Sequence, residues 1–226
     1  MDVIELVGRP GTGKTTLARK IYRQSDHVIS RGTFFKRELS RGRLFRWVPD
    51  VFLESPYLED YITSKTGELF GAGLDQDPAL LEAIALILQE VTRYDRLQSR
   101  LNLLFRDYVI HTLAQRSDSD DILLLDEGLT HRVGTFTLNG LSQNTARKVA
   151  ALLPTSDLYA YIEVPDQTTR NRLINRGKSD SLYIAREVYQ SLKSGLAERD
   201  ARFVDLSALE DADANLELLL DASRAT

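Results

Sequence analysis

The 226-residue chain contains no cysteine. That excludes a disulfide framework and any thiolate-based metal site. No apolar run approaches the ~20 residues needed to cross a bilayer, so no membrane partner is expected. The first residues lead straight into an apolar stretch, without a basic segment and secretory core before it, and a cytoplasmic location is the expectation. There is no basic excess either: the net charge of -4 argues against nucleic acid as the main partner. Internal repeats, heptad runs and low-complexity tracts are absent. What is present is an apolar fraction of 42%, enough for a sizeable core. The length suits one domain spanning 1–226, or one domain with an inserted lid.

The chain is organised around Gly8-Arg9-Pro10-Gly11-Thr12-Gly13-Lys14-Thr15. A glycine, four residues and then Gly-Lys-Thr is the P-loop pattern. Val3-Ile4-Glu5-Leu6-Val7 before it reads as a buried strand, and Thr16 to Tyr22 after it is apolar at helical spacing. Gly8, Gly11 and Gly13 let the backbone take positive φ and turn its amides inward. Together with the N-terminus of the following helix, those amides form a cradle for phosphate oxygens. The spacing therefore assigns residues 8–16, through Thr16, to nucleotide binding. Lys14 reaches the β- and γ-phosphates, and the Thr15 hydroxyl ligates Mg²⁺.

A second element lies far along the chain. Ile122-Leu123-Leu124-Leu125 ends in Asp126-Glu127. An apolar run of this kind reads as a parallel strand buried on both faces, with its acidic tip at the ligand-binding edge of the sheet. Asp126 is the expected Mg²⁺ carboxylate. Glu127 is the candidate base, taking a proton from an acceptor hydroxyl or positioning a water. Gly128 to Arg132 reads as a loop facing the same cleft, with Arg132 available to an acceptor or a transferring phosphoryl group. Gly134 to Gly140 also reads as a loop.

The remaining elements follow from periodicity and breaks. Residues 26–29 read as a short strand, with His27 at its surface end. Arg31 to Arg46 is basic, with Phe34, Phe35, Leu39, Leu44, Phe45 and Trp47 interleaved. Either it is a solvated amphipathic helix, or its arginines receive an anionic second substrate. Val48-Pro49-Asp50 and Ser55-Pro56 are breaks, and 57–75 is a glycine-containing connection. Ala79 to Val91 is apolar nearly all round and is expected to be mostly buried. Leu97 to Ala114 is a helix bearing Arg106, either salt-bridged or lining a cleft. Gln143 to Leu153 is a helix and Tyr159 to Val164 a strand, with Asp166 placed to cap the next helix. Arg170, Arg172 and Arg176 then form an arginine-rich lid over approximately 166–182, with Arg172 and Arg176 the candidate phosphate clamps. Residues 180–199 read as helical, Arg202 to Leu206 as a last strand, and Asp211 to Ala222 as a closing helix.

Gly8 to Thr15, the helix carrying Leu103-Leu104-Phe105-Arg106, the strand ending at Asp126, the segment from Val164 to Arg176 and the last strand to Asp205 occur in the order seen in P-loop nucleoside and nucleotide kinases. The chain resembles thymidylate kinase-like proteins most of all. It departs from them in having Asp126-Glu127-Gly128 where that group has Asp-Arg-Tyr or a near variant. The resemblance implies an α/β, three-layer P-loop NTPase fold, with a five-stranded parallel sheet flanked by helices and an arginine-rich lid. It also implies an acceptor cleft and, in many members, a homodimer. The expected activity is transfer of the γ-phosphoryl group of ATP to a small-molecule acceptor, with Mg²⁺ as cofactor and Lys14, Asp126, Glu127, Arg132, Arg172 and Arg176 as catalytic residues. Two alternatives stay open: a regulatory P-loop ATPase or GTPase, against which stands the absence of a guanine-reading Asn/Thr-Lys-x-Asp stretch, and a non-catalytic nucleotide-binding module.

Overall fold

The computed structural model describes residues 1–40, 77–175, 184–207 and 212–224. Arg41, Arg43, Arg46, Trp47, the breaks at 48–50 and 55–56, the connection 57–75 and Arg176 lie outside the described residues, as does the part of the expected lid beyond residue 175. In chain order the elements are β1 (Asp2–Val7), α1 (Lys14–Gln24), β2 (Val28–Ile29), α2 (Arg31–Ser40), α3 (Pro78–Glu90), α4 (Leu97–Gln115), β3 (Ile122–Leu125) and α5 (Leu129–Phe136). A short 3₁₀ turn (Thr137–Asn139) follows, then α6 (Gln143–Leu152), β4 (Leu158–Glu163), α7 (Asp166–Asn175), α8 (Arg186–Ala197), β5 (Phe203–Ser207) and α9 (Ala212–Arg224).

The five strands form one parallel sheet in the order β2-β3-β1-β4-β5. β1 is central, with Glu5 beside Leu125 of β3 and Tyr159 of β4. Every crossover between parallel strands needs a helix, and the helices fall on both faces. Strand alternation divides the core accordingly. Ile4 and Leu6 of β1, with Leu124, Ala160 and Ile162, pack against Ala18 and Ile21 of α1 and Leu219 of α9. On the other face, Val3, Leu123 and Leu125 meet Phe34 and Phe35 of α2 and Ile110 of α4. Val7, Tyr159 and Tyr161 meet the cluster built by α5, α6 and α8. The result is the three-layer α/β architecture with a five-stranded parallel sheet that the sequence implies.

Local chemistry sets several element boundaries. The Asp77 side chain accepts from the amides of Ala79 (3.0 Å) and Leu80 (3.2 Å), with Pro78 in the first turn, so the Asp-Pro break is a helix start. Ser142 caps α6 by accepting from the Thr145 amide at 3.2 Å.

Three expectations are corrected. The segment from Leu129 is not a loop but helix α5, and the supposed loop 134–140 contains its end and the 3₁₀ turn. The physical reason is tertiary: the Glu5 carboxyl accepts from the Thr130 hydroxyl and the His131 amide in the first turn of α5. Helix α3 is not buried all round: Leu80, Ala83 and Ile87 are buried, whereas Leu81 and Leu88 are 48% and 49% exposed. The helix packs by one face, and its composition conceals that. The helix expected over 180–199 is confined, among described residues, to Arg186–Ala197. No helix among the described residues is long and apolar enough to cross a membrane.

Candidate active site

The carboxyl ends of β1 and β3 lie side by side, which brings the loop after one against the acidic tip of the other. The loop from Gly8 to Gly13 carries positive φ at all three of its glycines, 157°, 90° and 101°. At Gly13 the value is left-handed, a conformation a side chain would strain, and this residue is where the loop turns directly into α1. Thr12 is buried, and its hydroxyl donates to the Arg9 carbonyl at 2.9 Å. Lys14 is also buried, and its ammonium donates to the carbonyl oxygens of Gly8 (2.5 Å) and Arg9 (3.1 Å). Burial pushes the Lys14 ammonium down to about 8, against the pull of Glu127, Asp126 and Glu5. Its charge is thus held at the mouth of the loop by the acidic tip of β3.

Thr15 and Asp126 stand far apart in sequence, yet the Thr15 hydroxyl donates to Asp126 Oδ2 at 2.9 Å. Two hard oxygens at that separation match the edge of an octahedron with metal–oxygen bonds of about 2.1 Å, an edge of about 3 Å. Mg²⁺ draws most of its other ligands from water and phosphate. The pair therefore fits that cation, even though the described residues contain no cluster of three or more His, Asp or Glu that could hold a metal by itself. Thr16 is exposed on the first turn of α1.

Arg9 and Pro10 complete the loop. The Arg9 side chain is buried and turned away from its centre: it pairs with Asp166 and donates to the Val164 carbonyl at 2.6 Å. Asp166, expected as a cap, is the first residue of α7 and serves as that partner. Beside this brace opens a pocket of about 560 Å³, lined by Arg9, Glu163, Val164, Pro165, Asp166, Arg186 and Glu187. From α7, Arg172 donates to the carbonyls of Gly11 and Thr12, each at 3.3 Å. One of the two expected clamp arginines therefore already reaches the loop.

Behind the acidic tip lies a buried ion cluster. Asp107 of α4 is fully buried among three guanidiniums: Arg132 Nε (2.7 Å), Arg106 Nε (3.1 Å) and Arg31 Nη2 (3.7 Å). Burial alone would raise the Asp107 carboxyl, but the three arginines outweigh it and hold it well below the usual range. Arg132 is 6% exposed and bridges inward and outward at once, its Nη1 donating to Glu127 Oε2 at 3.2 Å. Burial would lower its pKa, yet Asp107 and Glu127 raise it, so its charge is fixed. Glu127 responds in the opposite sense. Burial would raise it, but the adjacent His131 imidazole and the charges of Arg132, Lys14 and Arg31 hold it down to about 2. Arg31 also donates to the Glu127 carbonyl. Arg106 thus meets the salt-bridged expectation, and it is buried.

The sequence does not single out Glu5, although a carboxylate inside the apolar run 3–7 is the available signal. It is 1% exposed and faces the helical layer that contains α5. Its carboxyl accepts from the His131 amide and the Thr130 hydroxyl, both at 3.2 Å. These groups belong to the first turn of α5, whose own preceding residue, Gly128, offers no capping side chain. A Cβ at Gly128 would lie 2.6 Å from Glu5 Cδ, so a larger residue there would displace the Glu5 carboxyl. Burial raises Glu5 to about 7 despite the two hydrogen bonds. Asp107 and Tyr189 are the other participants the sequence did not single out. Tyr189, on α8, is fully buried, with its hydroxyl 2.9 Å from His131 Nδ1.

No protein-family model and no curated protein matches the chain. Among solved structures, it is similar to a deoxyadenosine kinase from M. mycoides with products dCMP and a flexible dCDP bound. The TM-score is 0.48 at 17% identity, covering 99% of this chain and 100% of that one. For a structure of deoxyadenosine kinase from M. mycoides with bound dATP the TM-score is 0.45 at 16% identity, over 97% of both chains. With bound dCTP it is 0.43 at 17% identity, over 99% of this chain and 100% of that one.

Proposed function

We propose that this chain is an ATP-dependent kinase that transfers the γ-phosphoryl group to a small-molecule acceptor, with residues 1–226 acting as one domain and the arginine-rich segment 166–182 as its lid. The observation that carries the reading is the meeting of Thr15 with Asp126 at 2.9 Å, beside Lys14 and the Glu127–Arg132 pair. It unites a phosphate-binding loop, a pair of oxygens suited to Mg²⁺ and a second carboxylate at one sheet edge.

In this reading the loop amides and Lys14 hold the β- and γ-phosphates, and the pocket beside Arg9 receives the remainder of the nucleotide. Bound Mg²⁺, held by Thr15 and Asp126, would neutralise phosphate charge. Arg172 lies close enough to the loop to share the charge that spreads over the transferring group. Glu127, ionised at every physiological pH, accepts a hydrogen bond from the acceptor hydroxyl and orients it in line. A carboxylate held at about 2 is too weak a base to remove that proton beforehand. It takes the proton as the new bond forms, which suits a loose transition state. Arg132 is a buried brace that keeps Glu127 in place.

The test is incubation with γ-labelled ATP, Mg²⁺ and a pooled metabolite library. Label is expected on a product other than free phosphate. Lys14→Ala should lower the rate by about 10²–10³-fold, the scale of removing one electrostatic contact to the transition state. Label found only as free phosphate would favour the ATPase reading, and full transfer by Lys14→Ala would remove Lys14 from its assigned role.

A further inference from the structure

Both carboxylate oxygens of Glu127 have a neighbour from α5. Arg132 Nη1 donates to Oε2 at 3.2 Å, and His131 Nε2 stands 3.6 Å from Oε1. The second separation is electrostatic contact, not a hydrogen bond. The other ring nitrogen of His131 bonds the Tyr189 hydroxyl at 2.9 Å. His131 is 5% exposed and Tyr189 fully buried, so neither group exchanges its partner for water. The rings are tilted by 26°, with centroids 6.4 Å apart.

The direction of the His131–Tyr189 bond follows from what lies on the far side of the ring. His131 is 5% exposed, and the neighbouring Lys14 and Arg132 charges disfavour a second cation there, so its imidazole is neutral and carries one proton. If Nδ1 held that proton, the bare lone pair of Nε2 would face Oε1 of the Glu127 carboxylate that pairs with Arg132, and both would be acceptors. If the tyrosine hydroxyl donates to Nδ1 instead, the proton sits on Nε2 and points at Oε1. Only the second arrangement is attractive at both ends. Tyr189 therefore does more than fill space: its hydroxyl selects the tautomer.

We propose that Tyr189 and His131 are positioning residues for Glu127, the tyrosine hydroxyl fixing the Nε2–H tautomer of His131, which with Arg132 holds the carboxylate at the angle needed to receive the acceptor hydroxyl. This rests on the kinase reading above and deepens it. It makes Tyr189 of α8 part of the reacting geometry although that side chain, fully buried, does not itself touch substrate. The helix is legible in the sequence but the role of Tyr189 is not, because the contact joins residues 58 positions apart.

The experiment has two arms on the full chain. Nitrogen NMR of histidine-labelled protein reads the tautomer directly, which is tractable with three histidines. Transfer from γ-labelled ATP to the pooled metabolite library reads the rate and the KM for ATP. The wild type should show the proton on Nε2. Tyr189→Phe, which removes only the hydroxyl, should lose that single tautomer. It should also slow transfer by about tenfold, the lower end for residues that orient a reacting group, with KM for ATP within about twofold. His131→Gln keeps an N–H donor near the Nε2 position and should retain activity within about threefold, whereas His131→Ala should fall by about tenfold or more. An Nδ1–H tautomer in the wild type, or unchanged transfer by Tyr189→Phe, overturns the proposal while leaving the kinase reading intact. Equal losses in His131→Gln and His131→Ala also overturn it. Wild-type protein that labels no acceptor overturns the kinase reading, and this inference with it.

Discussion

Asp107 is the side chain on which the charge balance behind the site turns. It is fully buried and is the one carboxylate among the described residues shared by Arg31, Arg106 and Arg132. Removing one partner of a buried ionic cluster costs more than the cluster contributes, because the remaining charges stay desolvated. Asp107→Asn should therefore destabilise the fold by about 3–5 kcal/mol, read as a shift of the urea midpoint at unchanged m-value. Arg132 would also lose its inner anchor, and transfer activity should fall beyond what the stability loss explains. A change below 1 kcal/mol would mean that the three arginines do not depend on this anion. Little of this was visible in the sequence. Arg106 could be read as salt-bridged from its helix, but its partner could not, since Arg31 and Arg132 come from other elements. The P-loop residues differ in this respect: Lys14 and Thr15 follow from contiguous spacing.

At the scale of elements, α5 is the instructive case. Its eight residues include Thr130, His131, Val133 and Gly134, which are weak helix formers, and no side chain of its own caps it. A helix so short does not form by itself in water. It forms here because Glu5 of β1 accepts from its first turn, and because Leu129, Val133 and Phe136 bury themselves in the core. Glu5→Ala would leave the His131 amide and the Thr130 hydroxyl unpaired in a dry site, at about 1–3 kcal/mol each. Hydrogen exchange at the His131 amide should accelerate by at least about tenfold, with the amides of α6 unaffected. Equal protection in the variant would show that packing alone holds the helix. Periodicity misjudged α3 in the opposite direction. Apolar residues nearly all round suggest a mostly buried helix, yet the buried face is the one bearing Leu80, Ala83 and Ile87. Composition reports how apolar an element is, and only the neighbours decide which face is covered.

Across the whole molecule, three buried groups dominate the response between pH 7 and 5. His111 sits unexposed against the Ser156 hydroxyl at 3.1 Å, and burial lowers it from 6.5 to about 4. His131 is lowered likewise, to about 3. Between pH 6.5 and those values the unfolded chain binds more protons, so both histidines cost stability as pH falls below about 6.5. Glu5 acts in the opposite sense. Its pKa is raised from 4.5 to about 7, so the folded chain binds the extra proton and its burdensome charge is relieved as pH falls through that range. Each contribution is on the order of 3 kcal/mol at full extent. Urea titrations from pH 7 to 5 should show stability falling with acid. His111→Gln should flatten that slope, and Glu5→Gln, which abolishes the compensating proton uptake, should steepen it. A steeper slope in His111→Gln would show that the histidine is not held neutral. The same scale separates two kinds of determinant. By itself the sequence determined the strand–loop–helix unit from Val3 to Tyr22, the acidic end of β3 and the alternation of strands with helices, because each is written in neighbouring residues whose spacing fixes its geometry. Only the tertiary structure decided that Asp126 meets Thr15, that Glu5 caps α5, that Asp107 gathers three arginines and that Tyr189 reaches His131. Those contacts join distant segments, and their strength comes from excluding water, which no local pattern records.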